Sequence, residues 1–391
     1  MSANDMSNTR PRRLVLVDTG SGLWGGQRYA LRLTDFLRAS GFEVVIATQS
    51  GSALGDWWTS NGGAVLPLSG RSRPERTRFD DVRKVVMTIR HTLTLRRYVQ
   101  RGQTDVLLSN SNWDHPAVAL TGATCRIPSV LILHEEGRAP MIRSFSSRLA
   151  SHTIAVSAQV AATISGPGRQ KTTVVHNGVD TTRFQPGDAD SGTRNLLSSN
   201  PDGVIVGCIG RIDRSKHIED VIHAVSALAP DLADNVSLVC VGSTSDEPKY
   251  EQEILFLGQS FLHGRFRHLP TRDDIDRLLK NVDIAVFAGS KEGMSLAMLE
   301  AMSSGCAVVA YVAAGVEEVI VNDVSGLIIP LGDENGMTRA ISSLVAEPDL
   351  RRRMGAAAQE RIRQRFDLES RAGDVVSIIQ SVLEKSPNTA T

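Results

Sequence analysis

The chain has 391 residues, too many for one ordinary core and suited to two domains of common size. Hydrophobic residues make up 41% and charged residues 22%, the balance of a globular protein, and no apolar run approaches the ~20 residues that a membrane-spanning helix needs. Net charge is zero, but residues 1–187 hold 23 Lys and Arg against 13 Asp and Glu, whereas 188–391 hold 20 against 30, so a basic half precedes an acidic one.

Residues 1–11 are polar and basic with no apolar segment before a cleavage site, and are expected to form a disordered leader, not a signal peptide. A strand is predicted at 14–17. The turn Gly20-Ser21-Gly22-Leu23-Trp24-Gly25-Gly26 follows, then a helix at 29–39 closed by Ser40-Gly41. Strands at 43–48, 64–68, 105–109, 129–133 and 152–156 alternate with helices or loops, the pattern of a parallel sheet with crossover helices. Within this half, Arg71, Arg73, Arg76, Arg78, Arg83, Lys84, Arg90, Arg96, Arg97 and Arg101 cluster, while Val82, Val86, Ile89 and Leu93 recur at helical spacing. The preferred reading is an amphipathic helix whose basic face is solvated. Contact with an anionic membrane surface or an anionic acceptor is the secondary one.

Phe184-Gln185-Pro186-Gly187 and the polar stretch to Gly203 read as a linker. The same plan then restarts: a strand at 204–209, a helix at 218–228, strands at 237–241, 283–287, 307–310 and 327–330, and two helical segments over 349–384. The expected division is a leader (1–11), an N-terminal Rossmann-like acceptor domain (12–187), a C-terminal Rossmann-like nucleotide-sugar domain (188–368) and a final helix with a short tail (369–391). Cys125, Cys208, Cys240 and Cys306 are scattered without metal-ligand spacing and are expected to be free thiols of a cytoplasmic protein.

Three stretches carry candidate chemistry. In Ser290-Lys291-Glu292-Gly293-Met294-Ser295-Leu296 a strand ends and a helix begins near Ser295, so the backbone amides of Gly293, Met294, Ser295 and Leu296 offer a phosphate site. Glu292 and Glu300, two helical turns apart, suit hydroxyls at two ends of one ligand, although Glu300 also fits a solvated helix position. Directly after the strand at 204–209, Gly210-Arg211-Ile212-Asp213-Arg214-Ser215-Lys216 leaves the carboxyl end of the sheet, where Arg211 and Lys216 can clamp a diphosphate. The early glycine turn allows close backbone approach at Gly25 and Gly26 but lacks the Gly-Lys-Ser/Thr of a P-loop. His134 ends a strand and is placed at the sheet edge near a sugar or acceptor, while His176 sits in a turn and reads as structural. Asp274-Ile275-Asp276 has the spacing of a cation-binding pair but lies at a helix start, and no other grouping resembles a metal site. With 5% aromatic residues and no basic patch interleaved with them, nucleic acid is not a partner.

Taken in order, Gly25-Gly26, Asn177-Gly178-Val179-Asp180 with Phe184 and Pro186, Gly210-Arg211 with Lys216, Glu292 with Glu300, and the 361–366 segment resemble the family-4 glycosyltransferases. The resemblance spans nearly the whole chain and is strongest over 174–366. It implies the GT-B fold: two Rossmann-like domains facing across a cleft, with a C-terminal helix packing back on the N-terminal domain. It further implies a retaining transfer from a nucleoside-diphosphate sugar to a glycan or lipid-linked acceptor, without a metal or other cofactor. Arg211 and Lys216 would bind the diphosphate, Glu292 the donor sugar, Glu300 the ribose, Gly26 a donor phosphate, and His134 the transferred sugar and acceptor. The chain has Glu292-Gly293-Met294-Ser295 where the family often has Glu-Gly-Phe-Gly, and Gly289-Ser290 where many members have Pro-Ser, so the donor sugar stays open. An epimerase of the same fold and a non-catalytic nucleotide-sugar-binding protein are the alternatives. An NAD oxidoreductase is a more distant one, since Gly20, Gly22 and Gly25 with Glu43 match its spacing but leave the second α/β unit unexplained.

Overall fold

The structure, a computed structural model, describes residues 10–20, 22–70, 80–102, 104–136, 139–244, 247–291 and 293–386. Nearly all of the expected leader, and Arg71, Arg73, Arg76 and Arg78 of the basic cluster, lie outside the described residues. The chain divides into two compact units. The first runs to Val175 and resumes at Ala372, and the second is His176–Arg371. The sequence placed these boundaries at 187/188 and 368/369.

The first unit is built on seven strands: β1 (Arg12–Val17), β2 (Phe42–Gln49), β3 (Ala64–Leu68), β4 (Val106–Ser109), β5 (Ser129–Leu133), β6 (His152–Ala155) and β7 (Thr172–Val174). They form one sheet in the order β3-β2-β1-β4-β5-β6-β7, and every pairing is parallel. Parallel strands covered by helices on both faces must be apolar throughout, and Leu14, Val15, Leu16 and Val17 of β1 and all of β5 are buried. The second unit repeats the plan with β8 (Val204–Ile209), β9 (Val236–Val241), β10 (Phe266–Leu269), β11 (Ile284–Phe287), β12 (Ala307–Tyr311) and β13 (Leu327–Ile329), in the order β10-β9-β8-β11-β12-β13. These are two Rossmann-like sheets. In each, strand order reverses beside the first strand of the unit: between β1 and β4, and between β8 and β11. Such a reversal opens a crevice at the carboxyl ends of the strands, where open α/β sheets bind ligands.

Two expectations require correction. The helix Asp80–Gln100 forms, but its packed side is not the predicted stripe. Val82, Val86, Ile89 and Leu93 are 61, 46, 53 and 46% exposed, while His91, Leu95 and Val99 are buried. At about 100° per residue the two stripes lie on opposite sides of the helix, and the sheet takes the one that begins about two and a half turns later. The stretch read as a linker also packs: Phe184 is buried, its carbonyl accepts a hydrogen bond from Ser303 Oγ, and the helix Ser191–Leu197 lies within it.

The chain closes with helices Pro348–Arg365 and Leu368–Glu384. Between them Val179 N donates to Phe366 O and Leu368 N to Val179 O (both 2.9 Å), so the Asn177–Asp180 turn and the end of the first helix hold each other. His176 belongs to this knot, with Nε2 2.8 Å from Glu318 Oε2 and its ring against Phe366. The last helix returns to the first unit and buries Ala372, Val375, Val376, Ile379 and Leu383.

Candidate functional site

At the carboxyl edge of the first sheet, β1 is followed by Asp18 and Thr19, β4 by Asn110, and β5 by His134. Asp18 is buried and accepts hydrogen bonds from Gly20 N (2.8 Å), Gln27 Nε2 (3.0 Å) and Asn110 Nδ2 (2.7 Å). Burial pushes its carboxyl pKa up, and those donors pull it back. Asn110 also donates from Nδ2 to Gly26 O (3.0 Å) and faces His134 Nε2 with Oδ1 at 2.8 Å. Burial holds the His134 pKa down to about 4, and Tyr29 meets its ring edge-on at 5.6 Å between centroids. Beside this cluster Thr19 donates from N and Oγ1 to the Asp114 carboxylate, which stands 3.5 Å from His91 Nδ1. His115 Nε2 lies 3.0 Å from Ile132 O, and its pKa falls to about 3 by burial.

Gly25 and Gly26, expected in a loop before a helix at 29–39, open the helix Gly25–Ala39 instead. First-turn amides need no intrahelical acceptor, so glycine is tolerated there, and a Cβ on Gly26 would meet nothing closer than Asn110 Nδ2 at 4.0 Å. The backbone is therefore approachable at this point.

At the carboxyl edge of the second sheet, β8 leads into Gly210, whose φ of +143° suits glycine, and a Cβ on the neighbouring Gly242 would stand 1.9 Å from Gly210 O. Two loops therefore meet backbone to backbone. Asp213 caps the short 3-10 turn Arg214–Lys216, accepting from Ser215 N, and holds Arg211 Nη2 at 3.3 Å. The loop after β11 is tied to this turn, since Ser290 N donates to Ser215 O (2.9 Å) and His217 Nε2 lies 2.9 Å from Ser290 Oγ. Beyond it Gly293 and Met294 are buried; Asn177 Nδ2 donates to Met294 O (3.2 Å), and Gly315, at φ +77°, packs where a Cβ would strike Gly293 O. Ser295 then caps the helix Leu296–Ser303, its Oγ accepting from Met298 N. Leu296, Ala297 and Glu300 are half-buried while Met298, Leu299, Ala301 and Met302 are buried, so Glu300 shares the open side of the helix start, one turn along from Leu296.

The structure thus places Gly210, Arg211, Lys216, Gly293, Met294, Ser295, Leu296 and Glu300 on one carboxyl edge, and Gly25, Gly26 and His134 on the other. Glu292 lies outside the described residues. Asp18, Asn110, Gln27 and His217 were not singled out from sequence, although Asp18 and Asn110 directly follow buried strand runs, and Ser290 was named in its motif without a role. Among the described residues His217, Glu219 and Asp220 bring possible metal-ligand atoms within 4.8 Å of one another, each already bonded to Ser290, Tyr250 or Tyr311 respectively. Asp274 and Asp276 are instead paired with Arg272 and Arg183. All four cysteines are free.

Comparison with known proteins agrees with this architecture. A family model described as Glycosyltransferase Family 4 matches residues 24–183, and one described as Glycosyl transferases group 1 matches 193–361, so between them they take in most of the chain. Alpha-maltose-1-phosphate synthase of Mycolicibacterium smegmatis is 29% identical over 222 residues, 54% of this chain and 56% of that protein. The lipopolysaccharide core biosynthesis mannosyltransferase LpcC of Rhizobium leguminosarum bv. viciae is 29% identical over 216 residues, 54% of this chain and 60% of that one. The matched stretch spans little more than half the length of these relatives. The crystal structure of Anabaena HepE in complex with UDP and glucose superposes with a TM-score of 0.79 at 19% identity, covering 95% of this chain and 100% of that one. With two doubly wound units, each matched by its own family model, the chain belongs to the family-4 glycosyltransferases of the GT-B fold.

Proposed function

We propose that this protein transfers a sugar from a nucleoside-diphosphate sugar to an acceptor hydroxyl with retention of anomeric configuration, in surface glycan or glycolipid synthesis. The observation that carries the proposal is the second carboxyl edge, where the Arg211–Lys216 loop is tied to the segment leading into a helix start. In this reading Arg211, Lys216 and the amides of Gly210 and Gly293 to Leu296 take the charge that develops on the departing diphosphate. Glu292 holds the donor sugar and Glu300 the ribose. Gly25 and Gly26 admit the donor phosphate, and His134 serves the transferred sugar and acceptor. With that electrostatic support no metal enters the scheme. The UDP and glucose held by HepE and the mannosyl transfer named for LpcC support a sugar nucleotide as donor.

The reading is tested by thermal shift against UDP, GDP, ADP and NAD, because a ligand that binds only the folded state raises Tm. Stabilisation by one nucleoside diphosphate, lost in Glu300→Ala, is expected, and stabilisation by NAD alone overturns it. Incubation with the matching sugar nucleotide and a glycan acceptor then separates transfer, which releases free nucleoside diphosphate, from epimerisation, which does not.

The proposal extends to place. On the helix Asp80–Gln100 the exposed Val82, Val86, Ile89 and Leu93 are flanked by Arg90, Arg96 and Arg97, and on Pro140–Leu149 Met141, Ile142 and Phe145 are exposed. Apolar stripes edged with arginine suit the interface of an anionic membrane, here its cytoplasmic side. No helix among the described residues is long and apolar enough to cross a membrane. Flotation with phosphatidylglycerol vesicles, lost on Val86→Ser with Ile89→Ser, is the expected result; equal flotation of the double variant removes this helix from the proposal.

A further inference from the structure

The amide of Asn110 sits at the centre of the first unit's carboxyl edge, and its orientation is forced. Its Nδ2 lies 3.0 Å from Gly26 O, a carbonyl that can only accept, and 2.7 Å from Asp18 Oδ2. Turned over, the amide would set oxygen against both, so Nδ2 must face them whichever protonation state Asp18 adopts. Asp18 is itself fixed by Gly20 N and Gln27 Nε2. It follows that Oδ1 points at His134 Nε2, 2.8 Å away. That oxygen can only accept, so Nε2 must carry a hydrogen.

We infer that Asn110 is a positioning residue that holds His134 as its Nε2–H tautomer and leaves Nδ1 as the acceptor nitrogen of the ring. The chain of constraint runs from the Gly26 carbonyl at the helix start, through Asn110 at the end of β4, to His134 at the end of β5. Each link is a short polar contact between segments far apart in sequence. With its pKa held to about 4 the ring is neutral near pH 7 and can accept a hydrogen bond from a hydroxyl but cannot donate one through Nδ1. The use of that lone pair, to accept from a hydroxyl of the transferred sugar or acceptor, rests on the transferase reading. The tautomer does not.

The test therefore begins without substrate. In histidine-15N-labelled protein at pH 7, long-range 1H–15N correlation is expected to show His134 with a pyrrole-type Nε2 and a pyridine-type Nδ1, the signals being assigned by their loss in His134→Gln. In Asn110→Ala the two tautomers should mix. In Asn110→Asp the new carboxylate favours the imidazolium, so the His134 titration should move up from about 4; among the described residues the ionisable groups placed around the ring are Tyr29, His115 and, through Asn110, Asp18. An Nδ1–H ring in the parent protein, or an unchanged tautomer in a folded Asn110→Ala, overturns the inference. If the tautomer is as stated, Asn110→Ala should slow transfer about 10²-fold, the cost of misplacing a group at a reacting centre by about 1 Å, with nucleoside-diphosphate affinity unchanged. The expected tautomer shift with no transferase activity in the parent would leave the positioning role standing and defeat the transferase reading.

Discussion

The two carboxyl edges share one strand order yet are furnished in opposite ways. In the first unit the reversal between β1 and β4 is filled with side chains that bond one another: Asp18, Gln27, Asn110 and His134 in one network, Thr19, Asp114 and His91 beside it. In the second, backbone contacts are prominent: Gly210 meets Gly242 beyond β8 and β9, Gly315 meets Gly293 beyond β12 and β11, and Ser290 N bonds Ser215 O across the reversal between β8 and β11, beside the His217–Ser290 contact and with a helix start beyond. A network of side chains fixes the direction and protonation of a single functional group. A frame of close-packed glycines fixes the course of the loops that lead into the helix start, and on the proposed reading its backbone amides would serve an anion as donors that cost no side-chain entropy. On the proposed reading the same fold therefore supplies a pointer in one unit and an anion cradle in the other.

The contrast breaks most sharply on one side chain from each edge. Lys216→Ala should lower kcat/KM about 10²- to 10³-fold and weaken nucleoside-diphosphate binding, since it removes charge from the cradle. His134→Ala should lower transfer by about 10² and leave that binding intact. Steady-state kinetics with calorimetric binding separates them, and equal losses of affinity in both variants would erase the division of labour.

A second way to sharpen the comparison uses pH. An unfolded imidazole takes up a proton near pH 6.5, whereas the folded first unit keeps His134 neutral to about pH 4 and His115 to about pH 3. Protons thus favour the unfolded state, and stability should fall as pH drops through 6.5 towards 4. Urea midpoints measured over pH 7 to 4.5 should decline, and less steeply in His134→Gln. A flat profile would mean that these rings are charged in the fold.

The smallest expected effect concerns the cradle itself. Ser295→Ala deletes the side-chain cap of Leu296–Ser303 and should cost about 1 kcal/mol, or roughly 2–4 °C in the melting of a unit this size. Nucleoside diphosphate should then restore more Tm to the variant than to the parent if it orders the same helix start.

Much of this was legible in the residues. The strands β1, β5, β8 and β9 are dominated by apolar residues because parallel strands are buried on both faces, and the loops after β5 and β8 could be marked as ligand-bearing. The edge strands β7 and β10 escaped notice: Thr172-Thr173-Val174 is too short, and Arg267 and His268 interrupt Phe266–Leu269 because one side of an edge strand is open. Asp18 and Asn110 escaped for a different reason. Their meaning depends on β1 and β4 lying side by side, and strand adjacency is a property of topology that no local pattern encodes. The helix Asp80–Gln100 misled because it carries two apolar stripes on opposite sides, and only packing decides which of them is core.

The return of residues from Ala372 to the first unit has a consequence for how the molecule is made. On a ribosome, the second unit is complete in one stretch and can fold as soon as it emerges, whereas the first must wait for the last helix. Until then the surface that receives Ala372, Val375, Val376, Ile379 and Leu383 stays bare, and a fragment stopped at Val175 would keep it so. The earlier-synthesised unit is thereby completed by the last helix to be made, and until that helix docks its apolar seam is open to chaperones and proteases.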